Sequence, residues 1–154
     1  MRTQRDSTFL QRLAQRLFAP PPRYMLIVDP DLSGAQQLAS GLGRRHSVAV
    51  VGSAQEALHA IATRAPSIVV TELDLPDASG LELLAAVRGR PATRNAVLVA
   101  VTGRTAVRDK IAVFQAGADD CLIKPVDPQM FAERIEHLSN FRRTPGAPGD
   151  QTAE

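Results

Sequence analysis

Five times along this chain a short aliphatic run gives way to a stretch whose apolar residues recur at helical spacing, and this alternation constrains the fold more than any other feature. The runs are Tyr24 to Val28, Ser47 to Val51, Ile68 to Val70, Ala96 to Val101 and Asp120 to Ile123. They lack the period-two alternation of a half-exposed strand. Such runs belong to a parallel sheet covered on both faces. The spacing predicts helices between them. Leu32, Ala35, Leu38, Ala39 and Leu42 mark one from about Leu32 to Arg44. Ser53-Ala54-Gln55-Glu56 reads as a capping box that opens the next. Further helices are expected from Gly80 to Arg88, from about Thr105 to Gln115, and from Pro128, capped by Asp127, to about Phe141. The fold class is therefore α/β, a doubly wound parallel sheet with right-handed crossovers.

Outside this body lie two appendages. Residues 7–18 read as a helix, with Ser7 as a candidate cap and Phe9, Leu10, Leu13, Ala14 and Leu17 in one arc. So short a helix is marginal alone, and its apolar stripe needs a partner. The partner is the body, a second copy or a membrane surface; protein contact through Phe9, Leu13 and Leu17 is the favoured expectation. Pro20-Pro21-Pro22 forms a stiff spacer. The division is thus an arm and spacer over 1–22, a body over 23–141 and a tail over 142–154 expected to be disordered.

Composition excludes several classes. The chain's net charge is +2, but residues 1–23 alone carry +4, so the body is mildly acidic and no nucleic-acid footprint is expected. A single cysteine, Cys121, precludes an internal disulfide and suits a reducing, cytoplasmic setting. No apolar run approaches a membrane span. His46, His59 and His137 are scattered and suggest no metal cluster.

Chemistry concentrates at the carboxyl ends of the strands, where open α/β sheets place their sites. The first strand ends at Asp29, the third at Glu72, the fourth at Thr102 and the fifth at Lys124-Pro125. Two carboxylates, a hydroxyl and an ammonium converging at one point suit a phosphoryl group with a magnesium ion. Asp74 reads as a loop hydrogen bonder, Asp31 as a helix cap, Asp119-Asp120 as a turn, and Cys121 as a small core residue.

The string MLIVD, the spacing from Glu72 to LPDASG, the VTG ending, AGADD and the Lys124-Pro125 pair resemble the receiver domain of two-component response regulators. The resemblance covers about Tyr24 to Leu138. It implies a flavodoxin-like (βα)5 fold with strand order 2-1-3-4-5, a signalling role rather than an enzymatic one, and a cis candidate at Pro125. The chain also departs from the family. Glu72 stands at the phosphoacceptor position, where the family has Asp. Pro30 stands where the family has a second, metal-binding acid. Cys121 replaces an aromatic switch residue. Thr102 and Lys124 are retained.

These residues imply an atypical receiver that signals by binding proteins, a sensor kinase or a downstream effector, without conventional phosphorylation. No cofactor is expected. Magnesium enters only where the acidic site, Asp29 with Asp74, still functions. Two alternatives stand beside this reading: a conventional receiver phosphorylated by a histidine kinase, and a dimerisation or scaffold module led by the N-terminal helix.

Overall fold

A computed structural model describes residues 3–19 and 21–143. The elements run α1 (Thr3–Phe18), β1 (Arg23–Val28), α2 (Leu32–Ala39), a 3-10 turn (Gly43–Arg45) and β2 (His46–Val51). There follow α3 (Ala54–Thr63), β3 (Ile68–Thr71), α4 (Gly80–Gly89), β4 (Val97–Thr102), α5 (Val107–Gln115), β5 (Asp120–Ile123) and α6 (Pro128–Arg143). The five strands form one parallel sheet in the order β2-β1-β3-β4-β5, as the resemblance implied.

Successive residues of each strand point to opposite faces, and this alternation divides the core. Met25, Ile27, Val70, Val99 and Leu122 pack with Ala35 of α2 and with Phe131 and Ile135 of α6. Leu26, Val28, Val69, Leu98 and Cys121 pack with Ala57 and Ile61 of α3, Leu84 and Val87 of α4, and Val113 of α5. Full burial of each Leu, Ile or Phe contributes about 1.5–3 kcal/mol. These two layers therefore supply the rigidity that fixes the strand ends.

Local signals act as the sequence predicts. The Ser53 hydroxyl accepts the Glu56 N–H at 3.1 Å, and the Glu56 carboxylate reaches back to the Gly52 N–H at 3.1 Å. Asp127 caps α6 through the Met130 N–H at 3.0 Å, and Asp31 caps α2 through the Gly34 N–H at 3.0 Å.

Several expectations require correction. α1 begins at Thr3, so Ser7 lies inside the helix rather than at its cap; Asp6 in the first turn suits the helix dipole. α2 stops at Ala39, not Arg44. The Ser40 hydroxyl there donates to the Gln37 carbonyl at 2.5 Å, and Gly43 turns the chain at φ 67°. α6 continues through Arg143, and Arg142 pairs with Asp119. The arm does not bury its stripe on its own body. Phe9 and Leu17 are 66% and 69% exposed, and Leu10, Leu13 and Phe18 are exposed too. Pro20, at the head of the expected spacer, and residues 144–154, most of the expected tail, lie outside the described residues.

Candidate functional site

The sheet holds the site by its backbone. The Asp29 N–H donates to Val51 O, the Glu72 N–H to Val28 O, and the Lys124 N–H to Thr102 O, each at 2.9 Å. Each bond extends the ladder one residue past a strand. The side chains that follow therefore leave the sheet from fixed points.

There Asp29, Glu72, Thr102 and Lys124 meet. Lys124 Nζ lies 2.6 Å from Asp29 Oδ2 and 2.8 Å from Glu72 Oε2. Both acids are 8% exposed. The second oxygen of each is also engaged. Asp29 Oδ1 accepts the Asp31 N–H at 2.9 Å. Glu72 Oε1 accepts the N–H groups of Leu73 at 2.7 Å and Asp74 at 3.3 Å. The extra methylene of Glu72 thus lets its carboxylate curl back onto the loop that follows. The Thr102 hydroxyl oxygen accepts the Arg104 N–H at 3.2 Å, and the Thr102 side chain helps to lower the Glu72 pKa.

Burial alone raises the Glu72 pKa, but hydrogen bonds from Lys124, Thr102, Leu73 and Asp74 outweigh it and leave the pKa below the ordinary value. For Lys124, burial lowers the pKa, yet Asp29 and Glu72 prevail and raise it. The two shifts act on opposite sides of neutrality. The contribution of Glu72 is present above the ordinary carboxylate range and is lost as pH falls through its depressed folded value. The contribution of Lys124 is present below the ordinary ammonium range and is lost as pH rises through its raised folded value. Thermal unfolding followed against pH should therefore show a neutral plateau falling at both ends. Glu72→Gln should flatten the acid limb; an unchanged acid limb would contradict the pairing.

Other residues of the sequence reading lie apart from this cluster. Asp74 turns outward into a two-pronged pair with Arg104, whose Nε lies 3.1 Å from Asp74 Oδ2, and its pKa is lowered accordingly. Asp31 is occupied as a cap, and Pro30 offers no oxygen from its side chain. The Lys124–Pro125 peptide is cis. Cys121 sits opposite Ala100 in the sheet, packed near Val113 and Ala118, and burial raises its thiol pKa.

Three features were not foreseen. Asp77 reaches across the loop to cap α3, accepting the N–H groups of Ala54 at 2.9 Å and Gln55 at 2.8 Å. The residues lie more than twenty positions apart, so no local pattern reveals it. Arg88 binds the carbonyls of Gly117, Arg94 and Ala96 and the Asp119 carboxylate, tying α4 to the far edge of the sheet. A lone arginine at the end of a predicted helix carries no signal of this. Gly80 approaches the site loop too closely for a side chain: a Cβ there would lie 2.2 Å from Glu72 O. Its place in LPDASG was the available clue.

The family described as response regulator receiver domain matches residues 25–136. The chain is 35% identical over 113 residues to "Probable transcriptional regulatory protein y4xI" of Sinorhizobium fredii, a match covering 73% of this chain and 49% of that protein. It is 30% identical over 127 residues to "DNA-binding response regulator MtrA" of Mycobacterium tuberculosis, covering 82% and 54%. The chain spans about half the length of these curated relatives. A crystal structure of a response regulator from Chloroflexus aurantiacus superposes with a TM-score of 0.71 at 34% identity, covering 76% of this chain and 97% of that one.

Proposed function

This chain belongs to the response regulator receiver family of two-component systems, and from that premise we propose that it works as a receiver whose pocket is held permanently by an ion cluster, signalling by protein binding without phosphorylation. One observation carries the reading. The Lys124 ammonium bridges Asp29 and Glu72 at 2.6 and 2.8 Å, and the remaining oxygens of both acids are bonded to backbone N–H groups. Glu72 thus offers its lysine the partner that a phosphoryl group would offer. It does so with one negative charge rather than about −1.5 to −2.

The same arrangement opposes magnesium. The ion demands near-octahedral oxygen coordination at about 2.0–2.1 Å and gives up its water reluctantly. Here the ammonium lies against both converging carboxylates, Asp74 is drawn to Arg104, and Pro30 supplies no carboxylate. These residues do not fit a directly bound magnesium ion, and no step of the proposed function uses one. Cys121 is too small to report the position of Thr102 as an aromatic residue would. A two-state equilibrium moves only as far as its input differs between the states. With the input fixed, control passes to partner binding or abundance, the partner being a kinase or an effector.

The test is intact mass spectrometry and amide NMR after treatment with a small phosphodonor and magnesium. The wild type is expected to stay unmodified with an unchanged spectrum, and calorimetry to give no tight magnesium isotherm. Glu72→Asp alone should not restore modification, because Pro30 remains. A stable phosphoryl adduct on the wild type, with shifts reaching α5 and α6, would overturn the reading.

A further inference from the structure

The arm carries an apolar stripe that the body leaves uncovered. Phe9, Leu10, Leu13 and Leu17 are all exposed on one convex helix face, and Phe18 is exposed beside the cleft. At about 100° per residue, Phe9, Leu13, Leu17 and Leu10 fall within an arc of about 100°, and Arg12 and Arg16 follow on its Phe9 border. Both arginines are exposed. The opposite side of the helix faces the body across a cleft lined by Ala14, Gln15 and Phe18 of α1 and by Arg23, Arg44 and Arg45 of the body. Glu136 is the acid in that cleft, 3.8 Å from Arg23 and 3.5 Å from Arg45. The stripe is therefore apolar at its centre and basic along its Phe9 border, and it faces away from the body.

Charge selects among the occupants. The body is excluded by the exposure itself. A second copy would set one strongly basic arm against another, with Asp6 the one acid in residues 1–23. An anionic surface answers both features at once: the apolar arc enters the headgroup boundary and the arginines meet the anionic groups. A flat layer also suits a single convex helix face that has no groove facing it. Among the described residues no helix is long and apolar enough to cross a membrane, so this contact lies in the surface plane.

We propose that α1, through its apolar stripe flanked by Arg12 and Arg16, docks this protein peripherally on anionic lipid bilayers. The inference is independent of how the pocket at the opposite strand ends is regulated.

The full chain is mixed with phosphatidylcholine vesicles, with or without about 30 mol% phosphatidylglycerol, and co-sedimented at about 50 and 500 mM salt. Binding should be roughly tenfold or more tighter on the anionic vesicles and should fall at high salt. Arg12→Glu with Arg16→Glu should remove most of it, as should Leu13→Ser with Leu17→Ser. The unfolding temperature of the body should not change in either variant, which separates lost docking from lost folding. Absence of vesicle binding overturns the proposal in each of two forms. If light scattering then shows a concentration-dependent dimer that Leu13→Ser with Leu17→Ser dissolves, the stripe joins two copies. If the protein stays monomeric, the stripe serves an acidic protein partner or none.

Discussion

Lys124→Met is expected to destabilise the protein by about 2–3 kcal/mol at neutral pH. Removing one partner from a fully buried ion pair costs about 3–5 kcal/mol, because the remaining charge is left uncompensated. Here two carboxylates would be left, but Lys124 lines an open cleft of about 480 Å³, and water screens part of the loss. Methionine keeps the apolar stem, so the change reports the charge rather than the packing. The pH dependence gives a sharper test. Without the ammonium, Glu72 loses the partner that holds its pKa down and is left beside the Asp29 charge in a poorly solvated site, so its folded pKa rises. Groups with raised folded carboxyl pKa values destabilise as pH rises through them. The deficit should therefore shrink as the solution is acidified towards about pH 4. Adding Glu72→Gln should recover part of the lost stability at neutral pH. Equal deficits at both pH values in urea unfolding, with no recovery in the double variant, would refute the ion cluster as the organising interaction.

Gly80→Ala should cost as much or more, about 3 kcal/mol, at the upper end of what overpacking does. A Cβ there would stand 2.2 Å from Glu72 O and 2.8 Å from Leu73 Cα, both backbone atoms. Neither yields easily. Glu72 O accepts the Thr71 hydroxyl at 2.8 Å, the Gly80 N–H donates to Leu73 O at 2.9 Å, and a bridge between Asp74 and Ser79 closes the loop above them. The unfolding temperature should drop by roughly 10 °C. Amide signals of Leu73 and Asp74, which hold the Glu72 carboxylate, should shift more than those of α6. A loss below about 1 kcal/mol would mean that the loop relaxes freely and that glycine is not required there.

The fold was legible because it depends on patterns that survive in one dimension. Period-two packing of strands such as Met25 to Val28 against helices on both faces leaves continuous apolar runs, and caps such as Ser53 and Asp127 act on neighbours three residues away. The four residues of the cluster were legible for a related reason: each directly follows a strand or ends one, and strand order brings those ends together. What sequence could not show is direction of side chains across loops. Asp74 was read as a loop hydrogen bonder, and no local pattern names its partner, Arg104, thirty residues away. Asp77 belongs to the cap of α3, and Arg88 to three carbonyls in two other segments. The arm shows the opposite limit. Its helix and stripe were legible, whereas what covers the stripe depends on surfaces beyond the helix itself.

All five strands point the same way, and this gives the molecule a front and a back. Arg23 and His46 open the first two strands at the end beside the arm, and Asp29, Glu72 and Lys124 stand at the other. A six-residue strand separates the two ends by about 20 Å, more than a Debye length at physiological salt. A particle held by its rear face thus turns its ion cluster towards the open solution, and a protein arriving at the front meets neither steric nor electrostatic interference from whatever holds the back. Occupancy of the two ends is then additive, and tethering changes the local concentration of the front without changing its intrinsic affinity.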